Sequence, residues 1–153
     1  MTELPIAHHD TISVSRVLKA APARVFAAWT DTESRKKWEP TPEGMEMVYE
    51  NFDFRAGGVE HSEMRQDGAI VAAFEIRYLD VLEEQRIIST VMVSVGGAVM
   101  SCSLHTIEFR PEGSGTLLIC HEQAAWFGGM NMRKEHEGGW ALMLDRFTEV
   151  VDG

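Results

Sequence analysis

Cysteine, basic residues and long apolar runs are scarce in this sequence, and each scarcity excludes a class of protein. Two cysteines, Cys102 and Cys120, are too few for a disulfide framework and indicate reduced thiols. Only 14 Lys and Arg stand against 24 Asp and Glu, and the net charge of −10 argues against nucleic acid and an anionic membrane surface as partners. No run approaches the roughly 18 apolar residues that a membrane span needs.

The beginning of the chain lacks the basic and apolar regions of a secretory signal, so we expect a cytoplasmic protein. A length of 153 residues and an apolar fraction of 44% are typical of one soluble domain with a substantial core. The sequence contains no internal repeat and no linker. It therefore predicts a flexible tail over residues 1–10 and a single domain over residues 11–153.

Apolar periodicity predicts a strand, two short helices, six strands and one long helix, in that order. Residues 11–19 alternate as a strand does, and Pro22 fits the first turn of a helix. Asp31 is placed to cap a second short helix, which Pro40 ends. Short turns then separate alternating runs, which indicates an antiparallel meander. Its six predicted strands cover residues 45–54, 59–65, 69–81, 86–95, 98–110 and 116–123.

Two adjacent glycines, Gly138 and Gly139, interrupt the helix predicted over Met132 to Val151. Glycine inside a helix costs about 1 kcal/mol relative to alanine. In one hypothesis, the missing side chains let the helix start approach the sheet, or the mouth of a gap beneath the helix, while Trp140 projects inward. In the other, the glycines kink or fray the helix entrance. A gap is expected because a curved sheet wrapped around one helix does not close fully on it.

Five segments carry a resemblance to a known superfamily: residues 20–38, 52–58, 64–68, 108–118 and 138–147. In their order the chain resembles the START-like, SRPBCC superfamily. Within it, the chain resembles the branch named after the activator of the ninety-kilodalton heat-shock protein's ATPase. The resemblance implies an α+β helix-grip fold, as in Bet v-like proteins. It leaves the function open, because the superfamily includes lipid and hormone carriers, cyclases and co-chaperone domains.

The strand after the glycine pair at 57–58 departs from the pattern of that branch. The branch commonly turns large apolar residues inward there, whereas this sequence has Glu60, Ser62 and Met64. If the register holds, a carboxylate and a hydroxyl point into the gap. A slip of one residue would turn both to solvent. The sequence leaves both registers open.

The last predicted hairpin contributes a second pair of polar side chains to the gap, because the family pattern turns His105 and Glu122 inward. If Pro111 pairs with Thr116, these two residues lie directly opposite each other. Such a pair could bind the polar group of a ligand or move a proton. The simpler interpretation is a cross-strand pair that only fixes the register. A shift of two residues would set His105 against Cys120 instead.

Apolar residues could line the gap or fill the core, and in a chain of this size most must be core. Trp126 lies in the predicted loop before the last helix, which borders the pocket mouth in this fold, so we interpret it as a gate. On the opposite sheet face, Leu117 and Ile119 stand where polar residues are usual, with Leu104 nearby. This strip predicts a homodimer, and the alternative is scattered surface residues.

Several catalytic signatures are absent: HExxH, CxxC, a Gly-x-Ser-x-Gly elbow and a phosphate-binding glycine loop. The two cysteines should lie on opposite sheet faces, which leaves no metal pair. We therefore expect neither a metal nor a cofactor.

We favour the binding of a small hydrophobic or amphipathic ligand between the sheet and the last helix. The candidate contacts are Glu60, Ser62, Met64, His105, Glu122, Trp126, Trp140 and Leu144. One alternative is a cyclase- or hydratase-type enzyme that uses Glu60, His105 or Glu122 as acid and base. Another is a co-chaperone-like interaction domain, which in the relatives it is named for works with a second, partner-binding domain.

Overall fold

The computed structural model describes residues 5–153, and its elements follow the predicted order. The strands are β1 (His8–Leu18), β2 (Met45–Glu50), β3 (Val59–Gln66), β4 (Ala69–Leu82), β5 (Arg86–Val95), β6 (Ala98–Glu112) and β7 (Gly115–Trp126), and the helices are α1 (Pro22–Thr30), α2 (Thr32–Trp38) and α3 (Arg133–Asp152). All pairings are antiparallel, in the order β1-β7-β6-β5-β4-β3-β2. The six-strand meander with β1 at its edge and α3 against it confirms the predicted helix-grip class.

Local signals set the two short helices as the sequence predicts. Pro22 occupies the first turn of α1, where its missing N–H leaves no hydrogen bond unmade. The side chain of Asp31 accepts a hydrogen bond from the Ser34 backbone N–H at 2.9 Å and so caps α2. The helix ends at Trp38, two residues before Pro40.

Three predicted boundaries are wrong. Strand β1 begins at His8, so the last three residues of the predicted tail over 1–10 pair with β7, while residues 1–4 lie outside the described part. Strand β2 ends at Glu50 rather than at residue 54, because Asn51 adopts a left-handed conformation with φ of 52°. Strand β7 continues to Trp126, and Phe127 N–H still donates to the Met100 carbonyl at 2.8 Å.

Helix α3 closes the core mainly through its C-terminal half, and Trp140 is the one buried residue of its N-terminal half. Four residues of α3 are buried: Trp140, Leu144, Phe147 and Val151. The ring of Phe147 packs edge-on against Trp29 and Trp38, with centroids 5.1 and 5.3 Å away. These three aromatic rings fill the space between helices and sheet at this end. Any gap under α3 therefore lies towards its N-terminus.

The glycine pair of α3 does not let the helix approach the sheet. Helix α3 runs without interruption from Arg133 to Asp152, with Gly138 and Gly139 exposed in its first half. A Cβ added to either residue would meet no atom within 4 Å. The predicted approach to the sheet is thus wrong, whereas Gly139 borders the cavity and Trp140 projects inward, as the same hypothesis predicts. The alternative of a kink at the helix entrance stays a prediction. A close approach occurs instead at Gly58, where an added Cβ would lie 2.1 Å from the Asp53 carbonyl oxygen.

The predicted apolar strip lies on the outer face of the sheet, as strand alternation requires. Leu104, Leu117 and Ile119 are all half-buried there. The half-buried Cys102 shares this face, whereas Cys120 is buried on the inner face, so the two thiols lie on opposite sides. The homodimer stays a prediction.

Candidate functional site

A cavity of about 500 Å³ lies between the sheet and the N-terminal half of α3. Most of its wall is aromatic or aliphatic, and the side chains include Trp29, Phe54, Phe74, Ile76, Trp140 and Met143. Three exposed residues on its wall, Pro42, Glu135 and Gly139, mark the side on which it opens to solvent. The gap predicted beneath the helix thus has a volume suited to a small organic molecule.

Strand β3 has the register in which Glu60, Ser62 and Met64 point inward. Ser62 and Met64 lie on the cavity wall, and Ser62 pairs with Phe74 of β4, which also lines the cavity. Glu60 also points inward and is completely buried, whereas His61 is exposed. The carboxylate of Glu60 does not form part of the wall itself. It lies against two residues that do, Arg35 and Tyr78.

Besides Glu60, the structure places two more of the predicted contact residues away from the wall, Trp126 and Leu144. Trp126 is 3% exposed and lies in β7, with its indole N–H donating to His136 Nε2 at 3.3 Å. Its position in a loop at the mouth is therefore wrong, because pairing with β6 carries the strand past it and strand alternation turns it inward. Leu144 is fully buried in the core cluster. The cavity wall includes neither residue.

The carboxylate of Glu122 joins the sheet to α3 at one end of the cavity. Pro111 pairs with Thr116, and His105 lies directly opposite Glu122, as predicted. The distance from His105 Nε2 to Glu122 Oε2 is 3.0 Å. From α3, His136 Nδ1 lies 2.8 Å from Oε1 and Trp140 Nε1 donates to the same oxygen at 3.3 Å.

These contacts keep Glu122 ionised. Burial alone would raise the pKa of this carboxyl group, but hydrogen bonds from His105 and His136 and the attraction of both imidazoles outweigh burial and hold its pKa well below the ordinary value of 4.5. A carboxylate can only accept hydrogen bonds, so the imidazole nitrogens that face it carry protons. Trp126 donates to the other nitrogen of His136, which therefore has both nitrogens occupied.

In neutral His105, Nδ1 is then a lone-pair acceptor. Its ring lies edge-on to Trp140 at 5.2 Å, and the residue lines the cavity. A carboxylate that fixes the tautomer of an imidazole is the arrangement by which catalytic bases are oriented. The site can therefore accept a hydrogen bond or a proton from a bound molecule.

Sequence reasoning missed a second polar cluster, which is centred on Arg35 of α2. Its Nη1 donates to Glu60 Oε1 at 2.5 Å and its Nε donates to Glu39 Oε2 at 2.8 Å. Tyr49 Oη donates to Glu39 Oε2 at 2.5 Å, and Tyr78 Oη donates to Glu60 Oε1 at 3.1 Å. The only available signal was the four-residue spacing of Arg35 and Glu39 on a short helix.

The charges in this cluster are strongly coupled. Burial would lower the pKa of Arg35, but the charges of Glu39 and Glu60 outweigh burial and raise it. Burial, followed by the charge of Glu60, raises the pKa of Tyr78. The second oxygen of Glu60, Oε2, is buried without a hydrogen-bond partner among residues 5–153. The cluster thus contains an acceptor that the protein does not satisfy.

His136 was also missed as a site residue. It lies four residues before Trp140 on the same face of α3, and this spacing was visible in the sequence. Across residues 5–153, no three His, Cys, Asp or Glu side chains are grouped so that they could hold a metal ion. No helix in the described part of the chain is long and apolar enough to cross a membrane.

A seven-stranded antiparallel sheet that holds one long C-terminal helix over a cavity defines a protein of the helix-grip class. The chain belongs to the family of activator of Hsp90 ATPase homolog 1-like proteins, whose family model matches residues 19–152. This confirms the branch that the sequence resembles. Among curated proteins, none matches the chain.

Solved structures share this fold. The Mll3558 protein of Rhizobium loti is 32% identical, with a TM-score of 0.83 over 95% of this chain and 99% of its own. A putative uncharacterized protein of Rhizobium leguminosarum is 28% identical, with a TM-score of 0.83 over 97% and 98%. The AHSA1-like protein of Aeromonas hydrophila, 18% identical with a TM-score of 0.68 over 93% and 92%, shares the fold.

Proposed function

We propose that this protein binds a small hydrophobic or amphipathic molecule in the cavity between the sheet and α3. The observation that carries the proposal is the void of about 500 Å³ with a mostly aromatic and aliphatic wall. Because this cavity opens to solvent, its apolar wall is exposed to water, and a bound apolar molecule would remove that surface from water. The proposed contacts are Ser62, Met64, His105, Glu122 and Trp140, all of which lie on the wall.

The glycine pair of α3 provides a matched test of where the molecule binds. Gly139 borders the cavity, whereas Gly138 lies on the outer side of the same helix, and a side chain at either position meets open space. We expect the neutral dye Nile red to bind wild type saturably, with a rise in dye fluorescence. Gly139→Leu should weaken that binding at least about tenfold, and Gly138→Leu should leave it unchanged. No saturable binding to wild type, or equal binding to both variants, would contradict the proposal.

A second candidate is an enzyme of the cyclase or hydratase type, favoured by the lone pair on His105 Nδ1 beside an apolar cavity. Glu122 would orient the imidazole, and His105 would remove a proton from a bound substrate as general base. The ketone β-tetralone has acidic protons next to its carbonyl and suits an apolar site. In heavy water we expect wild type to speed deuterium incorporation into it, and His105→Asn to lose this effect. Equal rates in both proteins would remove the enzymatic candidate.

A further inference from the structure

We infer that the polar group of the ligand is a protonated amine, so that the cavity selects amphipathic amines over amphipathic carboxylic acids. This inference rests on the proposed function and specifies the ligand class. It is based on three properties of the cavity wall: its net charge, the use of its hydrogen-bond donors, and its aromatic surface.

The charge on the wall is negative. Among the Lys and Arg side chains of residues 5–153, Arg35 is the one that lines the cavity, and the carboxylates that line it are Glu39, Glu122 and Glu135. Acidic side chains on the wall therefore outnumber basic Lys and Arg side chains by three to one. The buried carboxylate of Glu60 lies directly behind Arg35 and adds a further negative charge. A carboxylate ligand would enter a site of its own sign.

The charge of the single cation is already balanced within the protein. Arg35 donates Nε–H to Glu39 and Nη1–H to Glu60, so two carboxylates surround one guanidinium. An anionic ligand that reached the remaining N–H groups would bring a third negative charge to this cluster. A cationic ligand would add no such charge.

The other N–H and O–H groups of the site are largely engaged as well. His105 and Trp140 donate to Glu122, Tyr78 donates to Glu60, and Trp38 donates to the Ala28 carbonyl. Serine hydroxyls on the wall can donate or accept, so they do not discriminate between ligands.

Unused acceptors remain, by contrast, at both ends of the cavity. At one end is Nδ1 of neutral His105. At the other, both hydrogen bonds to Glu39 go to Oε2, which leaves Oε1 of this wall residue without a side-chain donor among residues 5–153. The site therefore offers acceptors to a donor group.

The aromatic wall also suits a cation. Trp29, Phe54 and Trp140 present rings to the same cavity, and indole and phenyl faces attract ammonium groups. The protein already uses this interaction nearby, because the guanidinium of Arg35 lies 5.0 Å from the Tyr49 ring centroid and 5.6 Å from that of Phe52. An amine with an apolar body matches both parts of the wall.

Three linear compounds of ten carbon atoms each test the inference: decylamine, decanol and decanoate. At about pH 8 the amine is protonated and the acid is ionised. By titration calorimetry we expect decylamine to bind at least about tenfold more tightly than decanoate, with decanol between them. If decanol binds and decanoate equals or exceeds decylamine, the inference is overturned while the proposed function stands. If none of the three binds, both fall.

Variants that remove one carboxylate test whether the preference for the amine arises inside the cavity. Glu122→Gln should reduce the ratio of amine to acid affinity about tenfold, as expected for loss of a buried charge at the site. Should that variant not fold, Glu39→Gln replaces it, because this wall side chain is partly exposed. Glu137→Gln removes a charge from the outer side of α3 and should leave the ratio unchanged. A ratio that falls equally in Glu137→Gln would reduce the preference to the overall charge of the protein and overturn the inference.

Discussion

Glu122 of β7 and His105 of β6 lie opposite each other, and their side chains meet at 3.0 Å on the wall of the cavity. His136 and Trp140 reach the same carboxylate from α3. One side chain of the sheet therefore holds an imidazole of the sheet and two donors of the helix. Polar contacts thus attach the helix to the sheet beside the cavity, where apolar packing is incomplete.

Glu122→Gln should lower the free energy of unfolding by about 2–3 kcal/mol, because charge-assisted hydrogen bonds in a buried site are lost. Glutamine offers one acceptor oxygen, and its amide group would face a donor N–H. Urea unfolding at neutral pH measures the difference. Glu137→Gln, an exposed carboxylate on α3, is the control and should change stability by less than about 0.5 kcal/mol.

The stability of wild type and that of Glu122→Gln should depend differently on pH in the acid range. The folded-state pKa of Glu122 lies below its ordinary value of 4.5, so its contribution to stability is complete above about pH 5 and is lost as the pH falls towards the folded-state pKa. Wild type should lose its advantage over Glu122→Gln in that acid range. Parallel stability curves for the two proteins from about pH 7 to pH 3 would contradict the lowered pKa.

Arg35→Met should destabilise the protein by about 3–5 kcal/mol, because it leaves the buried carboxylate of Glu60 without its counter-ion. The double variant Arg35→Met, Glu60→Gln should recover part of this loss, since no uncompensated charge remains at position 60. Chemical unfolding of wild type, both single variants and the double variant gives the coupling energy. Additive effects would mean that the two groups do not interact.

Two neighbouring residues of α3 should separate stability from binding. Leu144→Ala removes a fully buried core side chain and should cost about 2–5 kcal/mol while leaving Nile red affinity unchanged. Met143→Ala alters the cavity wall, so it should change that affinity at a smaller cost in stability, because Met143 is only half-buried. Thermal unfolding and dye titration of both variants provide the comparison. A loss of affinity confined to Leu144→Ala would place the ligand elsewhere.

Gly138→Ala and Gly139→Ala should each stabilise the protein by up to about 1 kcal/mol, or roughly 2–4 °C in Tm. Both positions are helical, and an added Cβ meets no atom within 4 Å at either. Gly58→Ala is the contrasting control, because its Cβ would lie 2.1 Å from a backbone oxygen, and it should destabilise. A fall in Tm for the two helical variants would show that the glycines are needed for a backbone conformation after all.

Strand alternation is a local property, and it explains which site residues could be predicted. Once the hairpin register is set by its turn, the inward positions of Glu60, Ser62, His105 and Glu122 follow from a period of two residues. Arg35 could not be placed in the same way. Its contact with Glu60 joins α2 to β3 across 25 residues of chain, and no sequence period relates a helix to a strand.

Periodicity and turn residues predict the order of the elements and the alternation of side chains along each strand, because both act over a few neighbours, and the family resemblance implies the helix-grip class. Three further features depend on tertiary contacts: the end of β7 at Trp126, the open space around Gly139, and the volume left beneath α3. Each depends on how side chains far apart in the chain fill a shared space. That filling is a sum over many contacts, which no short stretch of sequence contains.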